Sequence, residues 1–200
     1  MKKISIYILL SVLTFQLACS PNDEDKIAKN PEANFKVYEK IKKNSSLLSI
    51  TKEAIEVCHL SALISNQNSR VGEVIVERDG DDLIVYYITE NGWAIDATHL
   101  SIGNCEEENI PVNSEGNPTI GQFEHYSSHS TGVNWVAYVF DIAILDNNYC
   151  FAAQAEVSRA SINDTAWADG EYFTGVSGAM YVNALISDCP EQEETPGGGL

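Results

Sequence analysis

Basic side chains are few compared with acidic ones in this 200-residue sequence. It has 12 lysines and arginines against 29 aspartates and glutamates, which gives a formal net charge of −17. No lysine follows Lys52, and residues 58–200 contain three arginines beside 22 acidic residues. Because nucleic acids are bound through phosphates that need a basic surface, this charge argues against a DNA or RNA partner. The hydrophobic fraction of 44% is still sufficient for a folded core.

Signatures of catalysis and of metal binding are also scarce. No C-x-x-C pair occurs, which disfavours zinc. Residues 175–178 (GVSG) lack the spacing of a nucleophile elbow and precede a predicted strand, not a helix. His125 and His129 have i,i+4 spacing, but their segment is rich in Ser and Gly, so we interpret them as solvent-facing loop residues. The many acids leave a glycoside hydrolase as a remote alternative, and we predict that the protein is not an enzyme.

The amino terminus has the features of an export signal. Two lysines precede the apolar residues 4–15, a length that suits a signal peptide and is short for a membrane-spanning helix. Leu17-Ala18-Cys19 resembles the lipobox of bacterial lipoproteins, although Gln16 stands where that motif usually has an aliphatic residue. The resemblance implies cleavage before Cys19 and acylation of its thiol. The alternative is an ordinary cleaved signal peptide that leaves Cys19 free.

Composition divides the chain into four parts. Residues 1–18 are the predicted lipoprotein signal peptide. Residues 19–57, balanced in charge, are the lipid anchor and tether, with one short helix indicated by the spacing of Phe35, Tyr38 and Ile41. Residues 58–189 form the predicted domain, and the acidic, Pro/Gly-rich residues 190–200 a disordered tail.

The domain segment consists of short β-forming runs separated by turn signals. In Tyr149–Arg159, for example, apolar residues from Phe151 to Val157 alternate with polar ones. Asp79–Asp82 is typical of a hairpin turn. The pattern favours an all-β fold, an antiparallel β-sandwich of jelly-roll or Ig-like type. The predicted strands are 71–78, 83–89, 93–102, 133–142, 149–159, 165–168, 171–174 and 179–187.

Four cysteines remain if Cys19 carries lipid. An even number in an exported chain predicts two disulfides, with three possible connectivities. We favour Cys58–Cys189, because these residues bracket the domain, which leaves Cys105 to pair with Cys150. The other two connectivities stay open at this point.

Several segments resemble a β-domain of secreted and surface lipoproteins of Bacteroidetes. They are residues 71–105, 110–123, 150–157 and 165–173, and the likeness continues into the last strand. The acidic cluster at residues 20–26 (SPNDEDK) resembles the surface-export signal of the same lipoproteins. The resemblance implies an exported β-sandwich-like module on the outer membrane, but no activity and no catalytic residue. One departure is Glu124 after Phe123, where a proline is expected.

Two aromatic residues are candidates for ligand contact. Trp167 and Tyr172 flank an Asp-Gly turn, so they can lie exposed at a loop end, where a flat ring can stack on a sugar. Packing in the core is the alternative. Trp135 is predicted to be a core residue. His99 is predicted to be a packing residue on the same strand face as Ile95.

Among metal ions, the sequence favours calcium. Asp79–Asp82 and residues 105–109 concentrate oxygen ligands of the kind that calcium prefers, without EF-hand spacing. A hairpin turn and a solvated loop explain the same residues without metal. We predict no cofactor apart from a structural calcium ion, and assign it no ligands.

Taken together, the sequence predicts an outward-facing, lipid-anchored envelope protein with a non-catalytic binding or adhesion module. A polysaccharide or a host glycoprotein is the expected ligand, and the lipid bilayer is the partner of acylated Cys19. A structural or assembly role in the envelope, without a soluble ligand, is the first alternative.

Overall fold

A computed structural model describes residues 35–40, 57–66, 68–107, 110–175 and 178–190. These residues form eleven β-strands and contain no α-helix. The strands are β1 (Phe35–Lys40), β2 (Val57–Ser65), β3 (Arg70–Asp79), β4 (Asp82–Thr89), β5 (Ala94–Asn104), β6 (His125–Ser128), β7 (Trp135–Asp141), β8 (Asn148–Arg159), β9 (Ile162–Ala168), β10 (Glu171–Tyr172) and β11 (Met180–Leu185).

The strands form an antiparallel sheet that curls into a half-barrel. Its order is β1-β7-β4-β3-β2-β9-β8-β11-β10, and β8 also pairs with β5, which pairs with β6. β9 and β11 share one edge of β8, because β9 pairs with residues 154–159 and β11 with residues 148–151. The prediction of an all-β antiparallel fold is confirmed.

The inner face of the curled sheet carries the main hydrophobic core. On β8, the alternation of Phe151, Ala153, Ala155 and Val157 places all four side chains in this core, as predicted. Two hydrogen bonds cross the interior: the Tyr87 hydroxyl donates to the His99 carbonyl oxygen at 3.0 Å, and the Thr98 and Tyr138 hydroxyls lie 2.7 Å apart. Tyr87 and Tyr138 thus satisfy their polar ends inside an apolar core, whereas the buried Tyr149 hydroxyl has no hydrogen-bond partner within the described residues.

The predicted short helix is wrong where the structure describes it. Residues 35–40 form β1, which pairs antiparallel with β7 from Phe35–Phe140 to Lys40–Trp135. A helix of one or two turns is marginal in water, whereas the edge of β7 offers a complete ladder of backbone partners. Seven residues of the predicted tether, 35–40 and Val57, therefore belong to the sheet. The rest of the tether lies outside the described residues.

A β-bulge places His99 on the opposite face of the sheet from the one predicted. The register of β5 against β8 shifts between Ile95 and Ala97, so residues before and after the shift exchange faces. Ile95 is in the core, whereas His99 packs on the outer face against Tyr126, with ring centroids 4.8 Å apart. Trp135 also differs from its prediction as a core residue: it is half-buried on the outer face, 5.5 Å from the ring of Tyr86.

Both favoured disulfides are present. Cys58 at the start of β2 is bonded to Cys189 beyond the last strand, and Cys105 is bonded to Cys150 of β8. Cys58 and Cys189 are buried members of the main core. The first bond joins two ends of the domain that are 131 residues apart in sequence.

A second apolar cluster lies on the outer face of β8 and β9. In the register of these strands Trp167 is opposite Gln154, and both alternate with the core residues Ala155 and Ala166. The segments before β6 and around β10 cover this cluster. Its buried members are Phe123, Ala152, Trp167, Ala179 and Met180.

Candidate functional site

A pocket of about 280 Å³ lies at the edge of the second cluster. Both residues predicted to contact a ligand, Trp167 and Tyr172, line it. They are brought together although the turn between them separates β9 from β10. The described residues that line it are Ile64, Ser65, Asn66, Asn68, Trp167, Tyr172, Gly178 and Met180.

Strand pairing explains why these residues meet. Ile64 at the end of β2 is opposite Trp167 of β9, and Tyr172 of β10 is opposite Met180 of β11. Paired side chains on one face of a sheet are direct neighbours. The two pairs therefore bring the ends of four strands to one place.

A tight turn after β2 supplies the polar side of the pocket. The backbone amide of Asn68 donates to the Ser65 carbonyl oxygen at 2.7 Å, and Asn68 has a positive φ of 59°. Asparagine tolerates this left-handed conformation better than most residues. The backbone amide of Asn66 donates to the Thr165 carbonyl oxygen at 2.9 Å, which fixes the turn to β9. Two asparagine side chains are thus held beside the aromatic rings.

The two aromatic residues have different environments. Trp167 is 4% exposed and contacts Phe123 edge-on, with ring centroids 6.4 Å apart. Tyr172 is 68% exposed. A buried indole can form an apolar floor, while an exposed phenol ring offers a flat face to solvent. Of the two, Tyr172 has the geometry expected for stacking on a ligand.

The described part of the pocket lining has hydrogen-bonding groups but no charge. Among the described residues, the lining contains no Asp, Glu, His, Lys or Arg side chain. The Ser65 hydroxyl is buried and has no hydrogen-bond partner within the described residues. Ser65 is paired with Ala166 of the main core, so its side chain lies on the inner face of the sheet, opposite to that of Trp167, and the hydroxyl is not accessible from the pocket. The polar contribution to the pocket therefore comes from Asn66 and Asn68, and the arrangement suits reversible binding of a polar, uncharged molecule.

Ser65→Ala is expected to leave stability unchanged or to raise it by up to about 1 kcal/mol, because it removes an unsatisfied buried hydroxyl. Ligand binding in the pocket is expected to be unchanged, because the hydroxyl lies on the inner face of the sheet and is not accessible from the pocket. Ser101→Ala is the matched comparison, since the Ser101 hydroxyl is also buried and has no hydrogen-bond partner within the described residues. Urea denaturation of both variants and ligand titration of Ser65→Ala check this prediction. A clear loss of stability in Ser65→Ala, or a clear loss of its binding, would contradict it.

The histidines do not form a metal site in the described parts of the chain. His125 is not a solvent-facing loop residue as predicted: it begins β6, and its ring packs 4.9 Å from that of Phe140. Burial lowers the pKa of His125 to about 4. Burial also lowers the pKa of His99, partly opposed by Glu156, whose Oε1 lies 3.8 Å from Nε2. Within the described ranges no three His, Cys, Asp or Glu side chains are grouped around a possible metal position.

The structure describes only part of the two acidic segments that were predicted to bind calcium. Asp79–Asp82 makes the turn between β3 and β4, where Asp79 and Asp82 are paired in register. Glu106 of the second acidic segment is exposed, and residues 108 and 109 lie outside the described parts. Structural calcium therefore stays a prediction without assigned ligands.

The predicted anchor cannot be placed. Residues 1–19, including Cys19, lie outside the described residues. Among the residues that are described, no helix has the length and hydrophobicity needed to cross a membrane.

Comparison of the chain with protein-family models, with curated proteins and with solved structures finds no match. The resemblance to surface lipoproteins therefore stays a prediction.

Sequence reasoning identified the aromatic half of the pocket and missed its polar half. Ser65 ends a strand that the sequence did not indicate, and Asn66 and Asn68 follow it. The strand was missed because Val57–Ser65 contains His and Ser among its apolar residues. The polar run at residues 65–69 was the available signal. Nothing in the sequence indicates that this run lies beside Trp167, since about 100 residues separate them along the chain.

Proposed function

We propose that this protein is an outward-facing lipoprotein of a bacterial cell envelope, with a non-catalytic binding or adhesion module for a carbohydrate or glycoprotein. The observation that carries the binding proposal is the pocket, where the exposed ring of Tyr172 lies beside the amides of Asn66 and Asn68. An aromatic ring can cover the apolar face of a pyranose, while amides and hydroxyls match its hydroxyl groups. Ligand sites typically combine such an apolar lining with a few polar groups.

The size of the pocket supports a small recognition unit. Its volume of about 280 Å³ is close to the lower limit of about 300 Å³ for small-molecule sites. We propose that it takes one sugar ring and leaves the remainder of a glycan in solvent.

The envelope location is supported by the two disulfides and by the amino-terminal sequence. Disulfides form and persist in exported proteins, and both Cys58–Cys189 and Cys105–Cys150 are formed. Residues 1–18, as a signal peptide, would direct export and be removed, and acylated Cys19 would then hold the domain on the outer membrane. The β-sandwich-like, jelly-roll or Ig-like form of the domain belongs to this proposal, as does its membership of the Bacteroidetes lipoproteins.

The apolar outer face of the sheet favours the alternative, a structural or assembly role. Leu60 of β2 is 56% exposed, and it is in register with Ile75 of β3, which is in register with Tyr86 of β4. Exposed apolar patches often mark contacts with other proteins. An assembly role predicts no saturable binding of a soluble glycan, so the experiment below distinguishes the two functions.

Tyr172→Ala is expected to weaken glycan binding at least tenfold, which corresponds to about 1.4 kcal/mol, because it removes the exposed ring from the pocket. The full-length protein in mild detergent is screened on a glycan array, and each hit is then titrated by calorimetry. Tyr126→Ala is the matched control, since Tyr126 is 60% exposed on β6 and does not line the pocket.

Two results would contradict the binding proposal. One is a folded protein that binds no glycan, and the other is equal weakening by Tyr172→Ala and Tyr126→Ala. Titrations with calcium and with chelator are expected to agree, because none of the described residues that line the pocket carries a carboxylate.

A further inference from the structure

The pocket is electrically neutral, although the domain around it is strongly acidic. None of the eight described residues that line it carries a charge. Residues 58–200 carry 22 acidic side chains and three arginines. A surface with such an excess of one sign repels ligands of the same sign as they approach.

The three arginines of the domain are all engaged with other groups. Arg70 is in register with the pocket residue Ile64, but its guanidinium forms an ion pair with Glu73. Arg78 donates to the Gly80 carbonyl oxygen at 2.9 Å. Arg159 lies 4.6 Å from the centre of the Trp93 ring. None of the three arginines lines the pocket, so a carboxylate or sulfate group there would meet no cation among the described lining residues.

Acidic side chains also flank the aromatic part of the pocket in sequence. Asp169 and Glu171 lie between Trp167 and Tyr172, and both are exposed. Glu171 accepts a hydrogen bond from the Tyr181 hydroxyl at 2.9 Å. These two carboxylates add to the negative charge of the segment that carries Trp167 and Tyr172.

We propose that the pocket selects uncharged sugar rings and discriminates against sugars that carry a carboxylate, sulfate or phosphate. This inference rests on the proposed glycan binding. An anion that enters the pocket gives up hydration without gaining a cationic partner, which is unfavourable. An uncharged ring exchanges water for neutral hydrogen bonds. The side-chain amides of Asn66 and Asn68 can each donate and accept such bonds.

The test uses three sugars of the same shape. For the hexose that the array identifies, the full-length protein is titrated with the hexose, with its uronic acid and with the uronic carboxamide. The acid is expected to bind at least tenfold more weakly than the hexose, and the carboxamide is expected to recover most of that loss. The discrimination is expected to shrink at high salt, because salt screens the surface charges.

The outcomes separate this inference from the proposal on which it rests. If the hexose binds and the acid binds equally well or more tightly, glycan binding holds and the selectivity is overturned. If none of the three sugars binds, the proposed function itself fails. If the carboxamide binds as weakly as the acid, the selectivity comes from size and not from charge, and the inference is again overturned.

Glu73→Gln provides a second, independent measurement. It releases Arg70 from its ion pair, so the affinity for the uronic acid is expected to rise several-fold while that for the hexose is unchanged. Asp81→Asn is the matched control, because it removes one negative charge, as Glu73→Gln does. Asp81 lies in the turn between β3 and β4, whereas Arg70 is at the other end of β3. An equal ratio of affinities in the two variants would overturn the electrostatic basis of the selectivity.

Discussion

The double substitution Cys58→Ala/Cys189→Ala is expected to lower the free energy of unfolding by about 3–5 kcal/mol. The bond closes a loop of 131 residues, so its loss releases a large amount of conformational entropy to the unfolded chain. It also joins the start of β2 to the segment beyond β11, two parts of the core with no other covalent connection nearby. Few single interactions in a domain of this size contribute as much.

Denaturation by guanidinium chloride, followed by tryptophan fluorescence without reductant, measures this loss. Cys105→Ala/Cys150→Ala is the matched comparison, because its bond closes only 45 residues. The loop-length dependence makes its effect smaller by about 1 kcal/mol. A loss below about 1 kcal/mol for the longer loop, or the reverse order of the two variants, would contradict the prediction.

Acidification from pH 7 to pH 4 is expected to destabilise the protein by about 3 kcal/mol through His125 alone. Burial beside Tyr138 and Phe140 lowers the pKa of His125 to about 4, against 6.5 for an exposed histidine. Between these values the unfolded chain binds a proton that the folded chain does not. Stability from this residue is therefore complete above about pH 6.5 and is lost as the pH falls towards 4.

The free energy of unfolding, measured at intervals from pH 7.5 to pH 4, tests this expectation. His125→Phe keeps an aromatic ring against Phe140 but cannot take a proton, so its stability is expected to fall less steeply with pH. His99→Gln is the comparison, since Glu156 favours the charged form of His99 and partly cancels the effect of burial on its pKa. If wild type and His125→Phe have the same slope, His125 is not the responsible group.

In the proposed function, the pocket binds a glycan and acylated Cys19 holds the domain at the membrane. A pocket with a neutral described lining in an acidic domain would recognise an uncharged sugar ring without attracting anionic polymers. The two disulfides strengthen a domain that has no α-helix in its described part.

Local pattern predicted much of the fold. Alternation on β8 identified Phe151 and its neighbours as core residues, and the turn at Asp79–Asp82 located the β3–β4 hairpin. These features depend on side-chain periodicity and turn chemistry, which a short segment contains by itself. The count and spacing of the cysteines led to Cys58–Cys189 as the favoured pair, while proximity in the folded chain decided it.

Other features were decided by tertiary structure alone. The bulge beside Ala97 changes the face of His99, and β1 exists because the edge of β7 offers backbone partners to a segment that is otherwise ambiguous. The pocket brings Ser65 and Asn68 to Trp167, which lies far away along the chain. By itself the sequence determined the strand content, the acidic charge and the cysteines available for pairing, because these are properties of composition and of local pattern. The strand neighbours, the face of each side chain after a bulge and the lining of the pocket depend on contacts between distant segments, which only the folded chain supplies.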